Sequence, residues 1–198
     1  MSQTEPLLLK LIQGHKALES FDYAIAVNWA VEMVEQGNES ENILMLATFT
    51  QPFHRWETGA YVTAVLKELG LEELDYDEAL IATTHFHLSE IVQSRSTRKH
   101  LSSLYQLCIN NDYKSDLMAF YSLYHAWDEL EEFGQNYYYT GADLSNIEEL
   151  LRKEANQWVD EYIHGIKVER PVVKKTLQRS PSILQKGGLK ALLKSWFS

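Results

Sequence analysis

Four of the seven histidines have an acidic residue three positions away, in His54-x-x-Glu57, His87-x-x-Glu90, His125-x-x-Asp128 and, in reverse order, Glu161-x-x-His164. Residues at i and i+3 share a helix face. Imidazoles beside hard carboxylate oxygens on facing helices are the ligands of carboxylate-bridged metal sites in helical bundles. If the four pairs converge, the chain is a metal-dependent helical-bundle enzyme. The usual order in such sites is Glu-x-x-His, which only Glu161 and His164 follow, and they fall at a helix end. The bland alternative is a set of solvated boundary pairs, each worth a few tenths of a kcal/mol.

Other chemistry is sparse. There is no Gly-rich phosphate loop, no G-x-S-x-G elbow, no H-E-x-x-H and no cysteine pair for zinc, so no cofactor is expected. The single cysteine, Cys108, shares a helical face with Leu101 and Leu104 and is expected to be an inert core thiol. Asp128 falls inside an apolar stripe, so its carboxylate must be paired or hydrogen-bonded there. Tyr137, Tyr138 and Tyr139 form a loop that either presents an aromatic contact patch or folds down over the helix ends.

These residues require helices to position them. The run from Tyr113 to Phe133 places Leu117, Phe120, Leu123, Tyr124, Trp127 and Leu130 on one broad face, which predicts a central helix covered on several sides. Further helices are predicted over 6–13, 22–36, 41–50, 52–69, 78–94, 96–110 and a last one ending at His164. Ser20 or Asp22, Ser40, and Asp75 or Asp77 offer themselves as N-caps, and Gly14, Gly37, Gly70 and Gly165 as stops. With 9 Gly and 4 Pro and no convincing strand hairpin, the expectation is an all-α protein of about seven helices, either a multi-helix bundle or stacked helical hairpins.

Charge divides the chain. Residues 167–198 carry Lys167, Arg170, Lys174, Lys175, Arg179, Lys186, Lys190 and Lys194 against Glu169, a net of +7, leaving −17 for residues 1–166 out of the total of −10. The expected organisation is an acidic helical domain, 1–166, followed by a basic tail, 167–198. In that tail Leu189, Leu192, Leu193, Trp196 and Phe197 mark the apolar face of a short amphipathic helix over 189–197. An acidic body repels nucleic acid, which is therefore excluded as a partner.

The functional expectation is a non-catalytic cytoplasmic binding module, an adaptor or inhibitor whose acidic faces (72–78 and 128–132) meet a basic protein. The tail would dock on a partner, on a second copy or back on the domain. A lesser alternative lays the tail helix on an anionic membrane, where one short helix binds weakly. No signal peptide and no run of about 20 apolar residues is present.

Overall fold

Local sequence sets where three of the helices begin, those capped by Asp22, Ser40 and Asp75. In the computed structural model, which describes residues 4–167, the elements are α1 (Thr4–Gln13), α2 (Tyr23–Glu35), α3 (Glu41–Ala47), α4 (Arg55–Glu68), α5 (Tyr76–Val92), α6 (Thr97–Asn110), α7 (Met118–Phe133) and α8 (Ile147–Tyr162). A short 3-10 turn, Ser115–Leu117, leads into α7. Among the described residues there is no strand. The all-α expectation holds. Asp22 accepts from the Ala24 amide at 3.0 Å and starts α2. Asp75 and Glu78 form a reciprocal capping box that starts α5. Ser40 caps α3 through the Ile43 amide, but that helix stops at Ala47, short of the expected Thr50. α4 begins at Arg55 with His54 at its N-cap, later than Pro52 suggested.

The helices enclose two apolar clusters. In one, Ile12 of α1 meets Ala26, Val27, Trp29 and Ala30 of α2, Ile43 and Leu46 of α3, and Val62, Val65 and Leu66 of α4. The other gathers Leu88 and Ile91 of α5, Leu101 and Leu104 of α6, Phe120, Leu123 and Leu130 of α7, and Leu151 and Trp158 of α8. Burying each such side chain contributes roughly 1.5–3 kcal/mol.

The element that joins the clusters is α5, not α7. α5 packs against α1, α6 and α8. It can do so because Ala79, Ala82, Thr83 and Thr84 give it a thin waist, buried on that side. The turn after α1 comes so close that a Cβ on Gly14 would stand 2.8 Å from the Ala79 Cβ. By contrast, α7 packs chiefly on α6 and α8. Its aliphatic residues are buried, whereas Tyr121, Tyr124 and Trp127 are half-buried. The physical reason is the phenolic hydroxyl: a tyrosine counts toward an apolar stripe by area, yet its polar tip favours the edge of a core over its centre.

Cys108 is buried as expected, its Sγ 3.9 Å from the Met118 Sδ, and burial pushes its thiol above the ordinary range. No helix among the described residues is long and apolar enough to cross a membrane. The tail helix expected over 189–197, with Leu189, Leu192, Leu193, Trp196 and Phe197, lies outside the described residues.

Candidate functional site: an aromatic face on α6 and α7

The histidine–carboxylate pairs do not assemble. His54 and Glu57 are both exposed at the start of α4. Glu90 is turned to Arg95, with Nη1 to Oε1 at 3.4 Å, while His87 faces His100 instead. Asp128 is held by Arg98 rather than by His125. His164 lies 3.3 Å from Asp160, one turn back. Sharing a helix face is weaker than pairing with a guanidinium, which decided where Glu90 and Asp128 point: to Arg95 just beyond the end of α5, and to Arg98 on α6. Among the described residues no group of three or more His, Cys, Asp or Glu side chains is placed to hold a metal ion.

What the fold does assemble is a continuous set of rings. α6 supplies Tyr105 and α7 supplies Tyr121, Tyr124 and His125. Tyr105 stacks on Tyr124 with centroids 4.1 Å apart and on Tyr121 at 5.5 Å. Tyr113, from the turn between these helices, meets Tyr121 edge-on at 5.5 Å. His125 touches Tyr105, Tyr121 and Tyr124 edge-on and carries Tyr138 stacked on it at 4.6 Å. Offset and edge-to-face pairs of this kind contribute about 0.5–1.5 kcal/mol each beyond their buried area.

Arg98, at the start of α6, extends the face. Its guanidinium carbon lies 5.0 Å from the ring centres of both Tyr124 and Trp127, and its Nη2 reaches Asp128, with Glu131 at 3.8 Å. The requirement that Asp128 be paired is met by this contact. On this face the Arg98 Nη1 and the His125 Nε2, both shielded from solvent, have no hydrogen-bond partner among the described residues. Partial desolvation raises the Tyr105 hydroxyl above the usual phenol range, and Tyr121, Tyr124, Tyr113 and Asp128 add to the effect. The same holds for Tyr121. These hydroxyls are neutral donors and acceptors at neutral pH.

The tyrosine loop diverges over this site. Tyr139 folds in, donating its hydroxyl to Glu154 Oε1 at 2.7 Å, and burial with that bond raises its own ionisation. Tyr138 lies on His125 and stays 46% exposed. Tyr137 projects outward at 84% exposure, its backbone amide tied to Glu129 Oε2 at 2.8 Å. One of the three therefore packs inward, one completes the face and one stands beside it.

Sequence reasoning missed Arg98, Tyr105 and Tyr113. A signal existed: Arg98 and Tyr105 recur at i and i+7 on α6, and Tyr121, Tyr124 and Asp128 at i, i+3 and i+7 on α7. These are two matched polar-aromatic stripes beside the apolar ones. The acidic segment 72–78, expected to be a contact surface, is largely occupied internally. Glu73 takes Lys16 at 2.7 Å and the Thr63 hydroxyl at 2.7 Å, while Asp75 and Glu78 cap α5. Compared with known proteins, the chain matches no family model, no curated protein and no solved structure.

Proposed function

We propose that this chain is a cytoplasmic protein-binding module that works by contact rather than by catalysis, and that its α6–α7 face receives an arginine-bearing segment of a basic partner. The reading rests on one observation. Tyr105, Tyr121 and Tyr124, with Tyr138 stacked on His125, are gathered in ring contact and joined to Trp127 through Arg98, yet left half-exposed and bordered by Asp128 and Glu131. Tyr, Trp and Arg are the side chains that dominate interface energetics. Arg98 illustrates the recognition chemistry within the chain itself: a guanidinium laid over aromatic rings with a carboxylate at its edge. The −17 of residues 1–166 attracts a basic partner over a distance and disfavours an acidic one. The basic tail serves docking or self-association in this scheme.

The test is a titration of the full chain with arginine-containing, lysine-containing and acidic peptides, followed by the ring resonances of Tyr105, Tyr121, Tyr124 and Tyr138. Arginine peptides are expected to shift these signals with an affinity that weakens as salt is added. The paired substitution Tyr121→Ala and Tyr138→Ala is expected to weaken binding by about tenfold or more, since each lost anchor is worth more than about 1 kcal/mol. Peptide binding that leaves the four rings unmoved, or that survives the paired substitution, rejects the assignment.

A further inference from the structure

A second site lies away from the aromatic face, where the two apolar clusters approach one another. Here the end of α1, the start of α2, and helices α5 and α6 enclose a cleft of about 480 Å³, within the size range of small-molecule sites. Its floor is apolar, formed by Leu18, Phe21, Ile25, Phe86 and Leu107. Polar groups from α5 and α6 form the wall above.

Three features of that wall are independent of one another. First, His87 and His100 face each other with their Nδ1 atoms 2.9 Å apart, and both line the cleft. A hydrogen bond between two such nitrogens needs one to donate and the other to accept. Second, Lys99 lines the cleft beside them, and among the described residues no carboxylate forms an ion pair with it. Third, Thr83 is only 9% exposed, and its Oγ1 has no hydrogen-bond partner. A buried hydroxyl left unmatched costs about 1–3 kcal/mol, a cost that a ligand oxygen in the cleft would remove.

We infer that this cleft is a binding site for a small amphipathic carboxylate, its hydrocarbon body on the apolar floor and its head group met by Lys99, His100 and the Thr83 hydroxyl. A carboxylate fits better than a phosphate ester. One lysine and one imidazole can match a single negative charge, whereas a dianion would be held in a domain already at −17. Asp22, on the α2 wall, is engaged by the Ala24 amide at the helix N-terminus. Burial, with Lys99 beside it, holds His100 below its ordinary range, so the ring is neutral near pH 7. A bound carboxylate offsets Lys99 and favours the imidazolium, so binding takes up a proton from the buffer.

The experiment is calorimetric titration of the full chain with octanoate, octanol, octylammonium and octyl phosphate in two buffers of different ionisation enthalpy. Octanoate is expected to bind about tenfold or more tightly than octanol and octylammonium, with proton uptake. Lys99→Gln is expected to weaken octanoate about tenfold and leave octanol unchanged. His100→Asn is expected to abolish the proton uptake, and thermal melts establish that each variant is folded. No octanoate binding at about 1 mM, equal binding of octanol, tighter binding of octyl phosphate, or indifference to Lys99→Gln would each overturn the assignment.

Discussion

Two histidines of this molecule sit among aromatic rings, and they teach different things. His15, in the turn after α1, is fully buried, with Phe21 and Tyr23 edge-on at 6.1 Å. Its Nδ1 lies 3.1 Å from the Ile12 carbonyl and its Nε2 3.3 Å from the Thr63 hydroxyl, which donates to Glu73. Lys16 closes the network on Glu73, and Arg55 ties back to the Lys16 carbonyl at 2.9 Å. Burial works to raise the Glu73 carboxyl, but the bonds from Lys16 and Thr63 hold it below its usual range. Both ring nitrogens have polar neighbours within the chain. His125 has four aromatic neighbours but is half-buried, with an Nε2 that none of them satisfies. Closure distinguishes a structural polar cluster from one suited to binding. Residue type does not.

The strongest way to break this comparison lies on α7 itself, where Phe120 belongs to the core and its neighbour Tyr121 to the face. Phe120→Ala is expected to destabilise the fold by about 3–5 kcal/mol, the cost of a large buried side chain and the cavity it leaves. Tyr121→Ala should cost less, about 1.5–2 kcal/mol, since its contacts with Tyr105, Tyr113 and His125 are made by a half-exposed ring. Urea unfolding of the two variants reads this directly. Equal losses would make the aromatic face part of the core and remove its claim to be a contact surface.

That neighbouring residues on one helix differ so much explains what the sequence could and could not disclose. Capping is local, so Asp22, Ser40 and Asp75 were legible among the cap candidates, whereas the return bond from Glu78 that completes the Asp75 box was not. That Asp128 has a partner was legible too, although its side chain is 44% exposed and stands at the rim of the apolar stripe rather than inside it. The partner itself was not: Arg98 lies on another helix, and only the packing of α6 against α7 brings them together. Competing contacts, local at Glu90 and His164 and long-range at Asp128, dispersed the histidine–carboxylate pairs. α7 was over-weighted as the organising helix because its tyrosines count as apolar area. The real junction, α5, is inconspicuous in sequence, since what it contributes at Ala79, Ala82 and Thr83 is small size.

A smaller effect probes the closed network. Thr63→Val keeps the volume near His15 but removes the hydroxyl that neighbours Nε2 and donates to Glu73. Losing that link in the network is expected to cost about 1 kcal/mol. Tyr138→Phe on the face, which keeps the stacked ring and removes only a hydroxyl, should change stability by less than about 0.5 kcal/mol. Melting curves measured side by side compare the two. A loss at Tyr138 as large as that at Thr63 would show the face to be as closed as the core.

Acid offers the gentlest probe and ranks the histidines by how their charge is accommodated. Burial, aided by His100 and Lys99, lowers His87 to about 3, against an ordinary value of 6.5. Burial also lowers His15 and His100, but at His15 the Glu73 carboxylate opposes it. Between about pH 6.5 and 3 the unfolded chain therefore binds a proton at His87 that the folded chain refuses. Stability must fall as pH falls through that window, by up to about 1.4 kcal/mol per unit from this residue. Carboxylates add their own acid sensitivity, so the informative quantity is the difference between the parent chain and His87→Asn. The variant should lose about 1 kcal/mol less between pH 6.5 and 5.5, read from urea midpoints at the two values. His15→Asn should flatten the slope less, because the charge it would carry already has Glu73 beside it. An unaltered slope in His87→Asn would mean that solvent or a shift of the α6 wall accommodates the charged ring, and that the wall beside Lys99 yields when charge enters it.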